Sequence, residues 1–144
     1  MAFTDLRQFL DYLAEMGHLL RIDKEVDTRY EIAAYIRKTS DQQGPALFFE
    51  RIRGFDMQVA GGLFATLRGA ALALQCNIDE INTKLVQGAT HPIPPVVVKY
   101  GHCHDVVNKG ESVDLNTLPI PVYSEKDSGL AVLSRPQFPP QAAT

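Results

Sequence analysis

The sequence predicts a mixed α/β (α+β) domain, with helices packed on a small mixed sheet, and three observations carry the prediction. Apolar residues recur at helical spacing in some segments and form short β-branched or aromatic runs in others. The two kinds of segment alternate in the order α-β-α-β-β-α-α-β-β, which argues for helices laid against one sheet. With 144 residues, 45% hydrophobic and 22% charged, the chain can bury one ordinary core.

The first helix is marked by Leu6, Phe9, Leu10 and Leu13, an i, i+3, i+4, i+7 stripe starting near Thr4 or Asp5. Gly17 stands where a left-handed residue would close it, and "HLLRID" then reads as a short buried strand. In "VDTRYEIAAYIRKTSD" the Thr28 and Glu31 pair has capping-box spacing. Ile32, Tyr35 and Ile36 give that helix its inner face, and Arg37 and Lys38 suit its C-terminal dipole. After the Gly44-Pro45 turn, "ALFFERI" and "MQVAGGLF" read as strands. "TLRGAALALQ" reads as a helix capped by Thr66, and Asn77 with Glu80 starts another, with Ile78, Ile81 and Leu85 on one face and an end at Gly88. "HPIPPVVVKYG" is predicted to be a proline-led β-branched strand, and "HDVVNKGESVDL" a strand, a turn and a second short extended piece.

A net charge of −3 gives no electrostatic case for nucleic acid or an anionic membrane surface. The longest apolar runs are too short to span a bilayer, and the N-terminus lacks the basic and hydrophobic regions of a signal peptide. Cys76 and Cys103 make no disulfide framework and read as reduced thiols, so the expectation is a cytoplasmic domain with no membrane insertion.

No catalytic constellation stands out. "GHCHD" alone has metal-ligand residue types; were residues 102–104 extended, His102 and His104 would share one face, short of a third ligand, and a turn with solvated polar side chains is the better reading. Cys103 has no base or oxyanion pocket that the sequence places beside it. "AGGLF" lacks the three-glycine fingerprint and the P-loop lysine, so close backbone packing or a bulge is the better reading. Arg51 and Arg53 suit either an anion or an edge strand kept from aggregating. Glu111, Asp114, Glu125 and Asp127 are turn acids.

The order of motifs is more informative than any one of them. "DLRQFLDYLAEMGHLLRIDKEVD", "EIAAYIRK", "GPALFFERIRGFDMQVAGGLF" and "HPIPPVVVKYGHCHDVVNKGESVDLNTLPIPVYSEKDSG" together resemble the opening of the UbiD-type carboxy-lyases, from Met1 to about Gly129. The last stretch is similar to the family passage PC-x-E-V-V-x-x-G-x-x-VDL-x-x-LPIP. It departs from it at Gly101-His102, where Ala-Pro is common, and at His104-Asp105, where Glu is usual. The resemblance implies a single N-terminal α/β domain, residues 1–112, lacking the flavin-binding split-barrel domain. Residues 113–129 would be a linker loop leading into that domain, and residues 130–144 a disordered tail.

Full-length relatives, by the same resemblance, bind prenylated FMN with Mn²⁺ and K⁺ and decarboxylate aromatic or unsaturated acids. Their ligands, arginine and glutamates lie beyond the "LPIP" loop, so no catalytic, cofactor-binding or metal residue is carried onto this chain and no cofactor is expected for it alone. A legal codon set for residues 133–138 encodes Ile-Thr-Ala-Ala-Val in another frame, close to the family's continuation, which suggests a frameshifted tail on a truncated decarboxylase. The expected partners are further copies of itself or a flavin-domain-bearing chain. The alternatives are a small subunit of a multi-chain decarboxylase, a non-catalytic assembly module, or a small metalloprotein through His102 and His104.

Overall fold

Helices lie on both faces of a three-stranded sheet in the computed structural model, which describes residues 3–127. The first helix, α1 (Leu6–Glu15), starts where the Asp5 carboxylate accepts the Gln8 N–H at 2.8 Å. It ends in a Schellman turn: the N–H groups of Gly17 and His18 donate back to Ala14 and Leu13, with Gly17 at φ +71°. That reversal delivers β1 (Leu19–Ile22).

The second helix, α2 (Glu31–Asp41), crosses between β1 and its parallel partner β2 (Ala46–Phe49), and β3 (Val59–Gly61) pairs antiparallel to β2. The sheet order is therefore β1-β2-β3. Strand alternation divides β2 between two apolar clusters. Leu47 and Phe49 meet Val26, Ile32 and Ile52 on the α2 side, whereas Ala46 meets Phe9 and Leu13 of α1 on the other. Two further helices follow, α3 (Leu67–Leu74) and α4 (Ile81–Thr90), and Leu72 and Ala73 of α3 join the α1 cluster.

Several local predictions hold in detail. Thr66 caps α3 by accepting the Gly69 N–H at 3.1 Å. Glu80 accepts the Asn77 N–H at 2.9 Å at the 3₁₀ turn that leads into α4.

Others are corrected. Thr28 does not cap α2. The chain turns at Tyr30 (φ +69°), the Thr28 carbonyl accepts the Val122 N–H, and Glu31 reaches back to the Asp27 N–H at 3.0 Å. The helix therefore begins at Glu31, whose own N–H donates to the Arg29 carbonyl at 2.9 Å and not to the Thr28 side chain. "HLLRID" is an edge strand and not a buried one, since it pairs on one side only and Leu20 is 49% exposed.

The last helix passes Gly88 and ends at Thr90, whose hydroxyl donates to the Val86 carbonyl, with Pro92 two residues on. Neither predicted strand beyond it forms. Residues 92–101 pair with nothing among the described residues, and 102–104, 110–112 and 115–117 are single 3₁₀ turns. Three prolines at 92, 94 and 95 withdraw ladder donors, and the short sheet has no neighbour for this segment. The chain then returns to the body, where Val122 bridges Arg29 in parallel and Tyr30 donates to the Val122 carbonyl at 3.0 Å. The tail expected to be disordered, residues 130–144, lies outside the described residues.

Candidate functional site

The Gly101–Asp105 turn gathers the most chemistry-bearing side chains. The His104 N–H closes it on the Gly101 carbonyl and the Asp105 N–H on that of His102, at 2.9 and 3.1 Å. This 3₁₀ winding removes the shared face that an extended backbone would have given His102 and His104. His102 Nδ1 instead faces Asp105 Oδ2 at 3.2 Å, while the Tyr100 ring sits edge-on to His104 with centroids 6.0 Å apart. The Tyr100 hydroxyl donates to Asp105 Oδ1, and this bond, with a smaller contribution from desolvation, raises the phenol above its ordinary value. Cys103 is exposed. Among the described residues no group of three or more His, Cys, Asp or Glu side chains converges as a metal site requires.

The two arginines are committed to the fold. Arg53 pairs with Glu25 and Asp27 at 3.2 Å each, and Arg51 donates to the Asp23 carbonyl. Both sit beside the Val26–Ile52 bridge, so they tie the end of the parallel pair together and do not present an open anion clamp. Glu25, then Asp27, raise the Arg53 guanidinium further.

The glycines of "AGGLF" serve packing. A Cβ on Gly61 would lie 2.4 Å from Ile36 Cδ1, so α2 seats against β3 through that position. Gly62 takes φ +69°. Beside it a cavity of about 20 Å³ is lined by Leu13, His18, Gly62, Leu63 and Thr66, room for about one water. Arg68 Nε donates to Nε2 of His18, one of the lining residues, at 2.9 Å. No helix among the described residues is long and apolar enough to cross a membrane.

A run of strongly exposed apolar side chains lies elsewhere. Ile93, Val96 and Val97 are 92%, 86% and 93% exposed, and Val98, Val106, Val107 and Val113 are exposed as well. They belong to one excursion that leaves the body at Thr90 and is pinned again at Val122. The prediction missed this, since β-branched runs of this kind were assigned to strands inside the domain.

Comparison with known proteins decides the family. The sequence pattern of the 3-octaprenyl-4-hydroxybenzoate carboxy-lyase N-terminal domain matches residues 10–88, more than half of the chain. The chain belongs to the UbiD family. It is similar to the UbiD-class enzyme HmfF from Pelotomaculum thermopropionicum, solved with FMN, at 30% identity and a TM-score of 0.71 over 83% of this chain and 27% of that one. The vanillic acid decarboxylase ShVdcCD of Sedimentibacter hydroxybenzoicus, in closed form, matches at 28% identity and 0.72 over 87% and 28%. The 3,4-dihydroxybenzoic acid decarboxylase of Enterobacter cloacae matches at 25% identity and 0.68 over 86% and 28%. The chain thus spans a little over a quarter of the length of these UbiD relatives, and its fold is that of a UbiD N-terminal domain.

Proposed function

We propose that the chain serves as the N-terminal domain of a prenylated-FMN-dependent decarboxylase of aromatic or unsaturated carboxylic acids and has no decarboxylase activity by itself. One observation carries the reading: the likeness runs over 83% of this chain but 27% of its relative HmfF. One relative was solved with FMN and an evolved dimeric form of it with prFMN, which supports placing a flavin on the three-quarters of length that those proteins have beyond the match.

The donor set described above does not fit a divalent metal site, so Mn²⁺ and K⁺ are assigned to that same body. When bound there, the flavin supplies the electron sink for loss of CO₂. In this reading residues 1–112 are the domain, residues 113–129 lead toward the flavin body, and the domain's part is to support and position that body.

The test is an assay of the purified chain, supplied with prenylated FMN, Mn²⁺ and K⁺, for CO₂ release from vanillate and 3,4-dihydroxybenzoate. No turnover is expected, and no flavin absorbance should follow the protein through gel filtration. Turnover by the chain alone would overturn the reading.

A second reading is a separate subunit that completes a flavin-bearing chain. It is favoured by the S. hydroxybenzoicus relative, solved in one case with a truncated ShVdcD component. It predicts a larger flavin-bearing polypeptide copurifying at fixed stoichiometry with the tagged chain from its source.

A further inference from the structure

We infer that residues 96–100, which form no strand in this chain, become one on a sheet edge of the flavin-bearing decarboxylase body, to which the excursion 91–117 adds it. The inference rests on the proposed function and names the surface through which that function is exercised.

Three observations converge on it. Val96, Val97 and Val98 are β-branched and prefer a pleated, half-buried setting, yet all three are exposed. No backbone N–H or C=O of residues 92–100 makes a hydrogen bond among the described residues, although the flanking His91 and Gly101 both do. A run of unpaired donors and acceptors beside apolar side chains is what strand addition to a sheet edge uses. The alternation of a strand would place Val96, Val98 and Tyr100 on one side and Val97 with Lys99 on the other, which gives an apolar face and a mixed one.

The comparisons point to the occupant. The family pattern stops at residue 88, but the structural likeness to the vanillic acid decarboxylase covers 87% of the chain, a span that must run through the excursion. Packing against this domain cannot dictate that shared course, because the valines touch so little of it. What that relative has beyond the match is the remainder of its length. That remainder is the partner the valines fit. A second copy of this chain would offer only the short edges of a three-stranded sheet, already the ends of β1 and β3.

The experiment compares hydrogen exchange in two settings. In the full 144-residue chain alone, the amides of residues 96–100 should exchange at unprotected rates, and light scattering should give a monomer. In a chimera where this chain replaces the matched first part of HmfF, the same amides should slow by roughly two orders of magnitude. Val96→Asp should lower the melting temperature of the chimera and leave that of the chain alone unchanged.

Protection of these amides in the chain alone, or a dimer that protects them, would overturn the inference in favour of self-pairing. A chimera that folds and holds FMN, yet leaves residues 96–100 unprotected or tolerates Val96→Asp, overturns it while the N-terminal-domain reading stands. A chimera that neither folds nor holds FMN removes that reading, and the inference with it.

Discussion

Gly69 shows how a single residue can oppose its own helix propensity. It lies in the first turn of α3, where alanine would ordinarily add about 1 kcal/mol. Its Cβ, however, would come within 2.5 Å of the Leu63 carbonyl oxygen, a backbone atom with little room to move. Overpacking of this kind costs about 1–3 kcal/mol and should win, so Gly69→Ala is expected to lower the urea midpoint.

Glu31 sets a pH dependence. Its carboxyl is held below the ordinary value of 4.5, first by the Asp27 N–H it accepts and then by Lys24 at 3.2 Å. A depressed carboxylate stabilises the fold above its unfolded value and loses that contribution as pH falls through the lower folded one. Urea titrations from neutral pH down past 4.5 should show stability falling with acid, and Glu31→Gln should flatten that fall. The sequence placed Glu31 at a helix start, but its partner Thr28 was wrong: Glu31 accepts from Asp27 and donates its N–H to Arg29, in a turn pinned by Val122, 94 positions beyond Thr28, which no local pattern reports.

Elements were legible where their ends are chemical. Asp5, Gly17, Thr66 and Asn77 with Glu80 are short-range devices, and each acts at the terminus where spacing placed it. The stop of α2 is less legible because Gln43 and not glycine takes the left-handed position, at φ +53°. Gly44 follows it, and donates to the Thr39 carbonyl at 2.9 Å. A left-handed non-glycine residue costs about 1–2 kcal/mol, partly offset by the chain entropy that glycine would lose. Gln43→Gly, at an exposed site, is therefore expected to raise stability by up to about 1 kcal/mol in thermal or urea unfolding. Gly88 teaches the converse. It lacks a positive φ, so α4 runs through it to Thr90, and a glycine near a helix end is a stop only where the backbone uses its freedom.

At the scale of the molecule, the buried core and the exposed excursion occupy different parts of the chain. Phe49 is fully buried in the cluster between the sheet and α2, and Phe49→Ala should cost about 3–5 kcal/mol, enough to unfold much of a marginal domain. Val97→Ala removes a side chain that touches almost nothing and should fall within about 0.5 kcal/mol of the parent in the same measurement. A large loss at Val97 in the isolated chain would mean that the excursion packs on its own body.

The sequence by itself determined the α/β class, the apolar faces of α1 and α2, most caps and, through the order of its motifs, the family. All of these depend on residues within a few turns of one another or on patterns that survive without contacts. Only the tertiary structure decided that β1 is an edge, that Val122 pins the turn before α2, that Arg51 and Arg53 are bound internally, and that Val96–Val98 find no sheet here. A β-strand is defined by its neighbour, and the neighbour's position is a property of the folded body. Local sequence can state that a segment wants a partner but cannot state where the partner is.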